Sequence, residues 1–375
     1  METPIREFSD QDFKASKRIC IRFPKNGSKR FPAANITEFG WKDYCPAVFR
    51  HIQGLDNIES ANYVLSVCGI ETLVELSSLG KSGKLLYLSH DDRFVVKTIR
   101  KTEKKALLAM LPKYVDHIQT FGSTLLTKFY GLHVVRPVGG AKIYFVVMGN
   151  ILQTDLYLHR RFDLKGSSQG RSMNKVTIDE ATTFKDHDLN LTFFLNPLTR
   201  HRLFTQIKKD CRFLEEAGIM GYSLLLGIHI EAPIRGSTNG RSLTSGNSFP
   251  PDSSWRQGST ELILDDTIGF FALRIKSAKL LSDAKLGYKT QARAVPKNEV
   301  GSTAQSFNNV RLFFGIIDML QGYNVVKRLE HAYKALQFDS RKITSVNPKV
   351  YSSRFQEYLN TVFEADEMKF RGSFN

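Results

Sequence analysis

The sequence predicts a mixed α/β protein of the α+β kind, and three observations carry that prediction. Short runs at Lys84–Ser89, Arg93–Ile99 and Ile143–Met148 have the length and composition of strands. Stripes at helical spacing follow, with Ala106, Leu107, Met110 and Leu111 on one face and Phe204, Ile207, Cys211 and Leu214 on another. At 375 residues the chain can bury one large core or two lobes. The net charge of +16 adds attraction to an anionic partner, which nucleic acid, acidic protein and anionic lipid would all satisfy.

Residues 1–40 are polar and basic with scattered prolines and read as an irregular arm. Ser77 to Lys84 form a glycine turn ahead of two strands, where backbone N–H groups can approach phosphates. Gly80-Lys81-Ser82 has the ending of a Walker A loop, but the required first glycine falls on Glu75, which disfavours a P-loop fold. Asp91-Asp92 suits a hairpin turn, and the strand after it places Lys97 on the face of Val95 and Ile99. A lysine on an apolar face needs a partner, and either phosphates or a structural carboxylate would serve. A helix from Thr102 is interrupted by Pro112. Tyr144 to Met148 form an apolar strand ending in Gly149-Asn150.

Leu158 to Arg171 alternates most clearly. Leu156, Leu158, Phe162 and Leu164 share one face, broken only by Arg160, and His159, Arg161, Asp163 and Lys165 share the other. The run enters Gly166-Ser167-Ser168, where the chain can turn sharply. A core helix spans roughly 202–217 and stops at Gly218, and residues 235–259, rich in Ser, Gly, Asn and Pro, read as a flexible insertion. Asp318 is a lone carboxylate in the apolar run Leu312 to Leu320, so it must meet a cation, a metal or strong donors. Phe355, Tyr358, Leu359, Val362 and Phe363 form a last core stripe. The isolated cysteines, Cys20, Cys45, Cys68 and Cys211, suit reduced thiols. The sequence has no 18-residue apolar run, signal-peptide core or lipidation motif.

Arg160 to Ser167, RRFDLKGS, resembles the signature of phosphatidylinositol phosphate kinases, lipid kinases distantly similar to protein kinases, and further matches run in order from Trp41 to Phe355. The resemblance implies a two-lobed lipid-kinase fold, with an N-terminal lobe over 41–150 and a C-terminal lobe over 151–375. It implies catalytic roles for Asp163, Lys165 and Asp318. Gly80 and Gly83 would belong to the nucleotide-covering loop, and Lys97 would be the ATP lysine, ion-paired with Glu103. Backbone groups around Val147 and Met148 would meet adenine. Asp318 would bind Mg²⁺ bridging ATP phosphates. Lys327 and Arg328 would bind lipid phosphate. Glu330 matches type I members, which phosphorylate phosphatidylinositol 4-phosphate at the 5-hydroxyl to give phosphatidylinositol 4,5-bisphosphate. Trp41 to Pro46 looks most like plant members, without the N-terminal membrane-occupation repeats many of them carry.

The implied cofactors are ATP and Mg²⁺. The implied partner is an anionic phosphoinositide membrane, not nucleic acid, and a homodimer is compatible with the family. The implied location is cytoplasmic, peripheral at the plasma membrane. One position departs from the pattern. Met220-Gly221-Tyr222-Ser223-Leu224-Leu225 stands where the family has Met-Asp-Tyr-Ser-Leu-Leu, whose aspartate is taken as the base. Losing a general base costs ~10²–10⁴ in rate, so the expectation is an impaired kinase or a phosphoinositide-binding scaffold.

Overall fold

Two seven-stranded sheets carry the chain, and each has its own set of helices. The structure is a computed structural model that describes residues 8–14, 18–23, 38–69, 73–76, 84–167, 171–172, 182–231, 287–301, 307–322 and 347–366. The first sheet is antiparallel throughout. It is built from β1 (Arg18–Phe23), β2 (Phe39–Tyr44), β3 (Val74–Leu76), β4 (Leu86–Leu88), β5 (Phe94–Ile99), β6 (Phe129–Pro137) and β7 (Ile143–Gly149), in the order β1-β2-β6-β7-β5-β4-β3. β1 pairs with β2 along six residues, so part of the segment expected to be an irregular arm is strand.

Helices α1 (Pro46–Leu55), α2 (Ser60–Cys68) and α3 (Lys101–Thr120) accompany this sheet. Pro112 does not interrupt α3. A proline inside a helix costs about 3 kcal/mol. Here the apolar face runs on through Leu111, Tyr114, Val115 and Ile118, all buried, and that burial outweighs the lost bond.

The second sheet runs β14-β10-β12-β13-β11-β8-β9. Its strands are β8 (Arg160–Leu164), β9 (Thr183–Lys185), β10 (Leu191–Leu195), β11 (Ser223–Ile230), β12 (Tyr288–Pro296), β13 (Asn308–Ile317) and β14 (Phe363–Ala365). Helices α4 (Pro197–Glu216) and α5 (Pro348–Val362) pack on each other and on β14. α4 begins before the expected Arg202, because Asn196 caps it by accepting from Leu198 N at 3.0 Å and Pro197 occupies its first position. It closes at Gly218 and Ile219, which donate to Glu215 O and Leu214 O. Of its expected stripe, Phe204 lies half-buried and Leu203 takes the core position.

The sheets meet where the chain leaves α3 for β6. Leu126 bridges Ile316 of β13, Ile316 N donates to Leu125 O at 2.7 Å, and Thr127 N donates to Ile316 O at 2.9 Å. Asp210 of α4, fully buried, clamps the same stretch. It accepts from Leu125 N at 2.8 Å, Thr124 Oγ1 at 2.7 Å and Gln206 Nε2 at 2.8 Å, and lies 2.6 Å from His117 Nε2.

Candidate active site

The first sheet offers Lys97. On β5, Phe94 and Val96 face the core while Val95 and Lys97 stand on the opposite face. The second sheet offers Asp318, one residue beyond β13. Its φ of 64° is a left-handed conformation that aspartate tolerates better than most side chains. Asp318 is therefore not buried inside the apolar run, as its sequence neighbours suggest. The strand ends first, and the side chain keeps 38% of its exposure. Lys97 Nζ donates to Asp318 Oδ1 and joins the two sheets.

Desolvation opposes ionisation of Asp318. The charges of Lys97 and Lys165, the bond from Lys97 and the charge of Lys84 outweigh it and hold the carboxyl below the usual range. Of these three ammonium groups only Lys97 is bonded to the carboxylate, the other two being bonded to Gly221 O and Glu103. Glu103 is not the partner of Lys97. Its Oε1 accepts from Lys84 Nζ at 2.5 Å, and its Oε2 accepts from Arg100 N at 2.9 Å in a capping box at the start of α3.

β8 is flanked by β11 and β9, so the alternating stretch is an inner strand. Phe162 and Leu164 are buried beneath it, and Asp163 and Lys165 are half-buried on the other face. Lys165 Nζ donates to Gly221 O at 2.9 Å. Gly166 makes the expected sharp turn with φ 67°, and a Cβ there would sit 2.9 Å from Tyr358 Cβ. Asp186 secures the turn. Its Oδ1 accepts from Lys165 N at 2.9 Å and Gly166 N at 2.6 Å, and its Oδ2 accepts from Arg171 Nε at 2.5 Å.

Arg171 also donates to Asp163, through NH1 to Oδ2 at 3.4 Å and through NH2 to the backbone oxygen. Desolvation works against the Arg171 charge, but Asp163 and Asp186 overcome it and leave the guanidinium more firmly protonated. Asp163 Oδ1 has no hydrogen-bond partner among the described residues. An open cavity of about 770 Å³ lies behind the turn, bordered by Ser167, Asp186, His187, Lys297 and Tyr358.

Val147 and Met148 sit within β7, paired in register with β6 on one side and β5 on the other. The next N–H groups, of Gly149 and Asn150, are given to Lys128 O and Arg93 O. Gly80, Gly83, Lys327, Arg328, Glu330 and the 235–259 segment lie outside the described residues. Asp186, Arg171 and Lys84 were not singled out by the sequence. Each acts through a partner distant in the chain, and no local spacing marks it.

Two sheets with their own helices, joined by a lysine of one and an aspartate just beyond a strand of the other, are consistent with the two-lobed kinase class. The chain belongs to the phosphatidylinositol-4-phosphate 5-kinase family, whose model matches residues 67–362. It is 42% identical over 373 residues to phosphatidylinositol 4-phosphate 5-kinase 1 of Arabidopsis thaliana, covering 96% of this chain and 50% of that protein. Against phosphatidylinositol 4-phosphate 5-kinase 9 of the same plant it is 43% identical, covering 96% and 49%. The chain thus spans about half the length of these two curated relatives. It covers 98% of a third, phosphatidylinositol 4-phosphate 5-kinase 10, at 38% identity.

Proposed function

We propose that the chain transfers the γ-phosphoryl group of ATP to the 5-hydroxyl of phosphatidylinositol 4-phosphate. The observation that supports this most is the Lys97–Asp318 pair across the sheets, with Lys165 charging the same site. The lipid oxygen forms the new bond to phosphorus, the bond to the β–γ bridging oxygen breaks, and ADP leaves. The hydroxyl proton passes to Asp163, the motif carboxylate with an unused acceptor oxygen. Lys97 and Lys165 offset phosphate charge in a partly desolvated cleft, which is where such charges act most strongly.

Asp318 suits Mg²⁺. It is ionised and partly exposed, no cluster of three or more acidic, His or Cys side chains exists among the described residues, and Mg²⁺ commonly takes one or two carboxylates together with substrate phosphates and water. The ion would supply neutralisation of the nucleotide's phosphate charge. We further propose that Lys327, Arg328 and Glu330 select the lipid headgroup and that the protein works peripherally at the plasma membrane, alone or as a homodimer. No helix among the described residues is long and apolar enough to cross a membrane.

Gly221 favours a second reading, a lipid-binding scaffold with little turnover, because it has no side chain where the family has an aspartate and its carbonyl is already bonded by Lys165. Transfer of label from ATP to phosphatidylinositol 4-phosphate in vesicles separates the two. Labelled product supports the kinase, and vesicle binding without product supports the scaffold.

A further inference from the structure

Lys84 and Lys97 stand on the same face of the first sheet. Leu86 lies opposite Lys97 across β4 and β5. The pairing continues one step further, with Thr98 N donating to Leu85 O at 3.0 Å and Leu85 N donating to Thr98 Oγ1 at 2.9 Å. Lys84, two residues before Leu86, therefore returns to the face of Lys97 and is its diagonal neighbour, within reach of a long side chain. Both ammonium groups act on Asp318, yet only Lys97 bonds to it. Lys84 is held by Glu103, at 2.5 Å, with 22% of its side chain exposed.

We propose that Lys84 is a second nucleotide-phosphate lysine, oriented by Glu103, so that the polyphosphate chain is bound by two ammonium groups, one just before β4 and one on β5. This rests on the nucleotide reading of the site. A glutamate on the first turn of α3 that orients a lysine reduces the side-chain freedom lost when phosphate binds. Here that glutamate serves Lys84 and leaves Lys97 to Asp318. Lys84 also follows directly in sequence on Gly80 and Gly83, glycines that allow close backbone approach to a phosphate. The ligand class is therefore a nucleoside di- or triphosphate, and a bare nucleoside gains nothing from Lys84.

Calorimetric titration of the full chain with Mg-ATP, Mg-ADP and adenosine tests this directly. Replacing Lys84→Met should weaken Mg-ATP and Mg-ADP by roughly 10–100-fold, the worth of one charge-assisted hydrogen bond, and leave adenosine unchanged. Lys84→Arg should retain most of the affinity, and Glu103→Gln should lose less than Lys84→Met. If Lys84→Met does not fold, Lys84→Gln replaces it with the same expected outcomes. Unchanged Mg-ATP affinity in the variant, beside a parent that binds, overturns the inference and leaves the nucleotide reading standing. Equal loss for adenosine also overturns it, by showing general damage to the cleft. A parent that does not bind Mg-ATP overturns both.

Discussion

Removing the Lys97 ammonium takes away the chief attraction that keeps Asp318 ionised. Lys97→Met should therefore move the Asp318 carboxyl upward, because desolvation is then less opposed. The sign follows from linkage. A carboxyl held below its unfolded value adds stability above about pH 4, and that stability is lost as pH falls through the folded value. In Lys97→Met the loss should begin at higher pH, which thermal unfolding followed between about pH 3 and 6 would register. Identical pH profiles for parent and variant would remove Lys97 as the cause. Asp318→Asn and Lys97→Met should each weaken Mg-ATP binding without unfolding the chain, and thermal-shift titration would show it. Gly221 has φ 77°, and a Cβ there would sit 2.9 Å from Gln321 Oε1, the mobile end of a flexible side chain. Backbone strain is thus the main obstacle, about 1–2 kcal/mol for alanine and less for aspartate. Gly221→Ala should lower stability by about that amount with no gain in single-turnover transfer to lipid. Gly221→Asp should raise transfer within ~10²–10⁴ if a missing base limits the rate. Equal rates for parent and Gly221→Asp would point to Asp163 or another base.

What the sequence made legible at the level of elements was mostly what local chemistry controls. The β8 alternation placed Phe162 and Leu164 inward, and Gly166 turned as a glycine should. Pro112 misled because its cost is local while its compensation, the buried face through Ile118, is tertiary. The start of α4 was missed although Asn196-Pro197 is a strong cap signal, and the same Asn-Pro pair opens α5 at Asn347-Pro348. Asn196→Ala should cost about 1 kcal/mol in thermal or denaturant unfolding, and no change would mean that packing alone defines this end of α4. Asp210 was readable in principle, since it falls three residues after Ile207 on the apolar face. Its partners lie in a different part of the chain, so its bonding pattern was not. Glu103 shows the same limit. The helix position is right and the partner is not, because Glu103 is taken by Lys84, 19 residues away in sequence, just before β4.

At the level of the whole molecule, a charge of +16 should give salt-sensitive binding to anionic vesicles. Each lysine or arginine near such a surface contributes about 1 kcal/mol, so replacing Lys327 and Arg328 by alanine should weaken co-sedimentation roughly 30-fold. Unchanged binding would move the membrane face elsewhere. The junction of the two sheets has a mechanical consequence. β13 carries both the bridge at Ile316 and, two residues on, the aspartate of the cleft. If the sheets swing about that bridge as tongs about a rivet, Asp318 rides about 7 Å from the pivot and barely moves. Lys97 belongs to the other sheet, so such a swing parts the lysine from the carboxylate it is bonded to. Asp210, bonded to Leu125 N beside the bridge, is the side chain that would resist that parting.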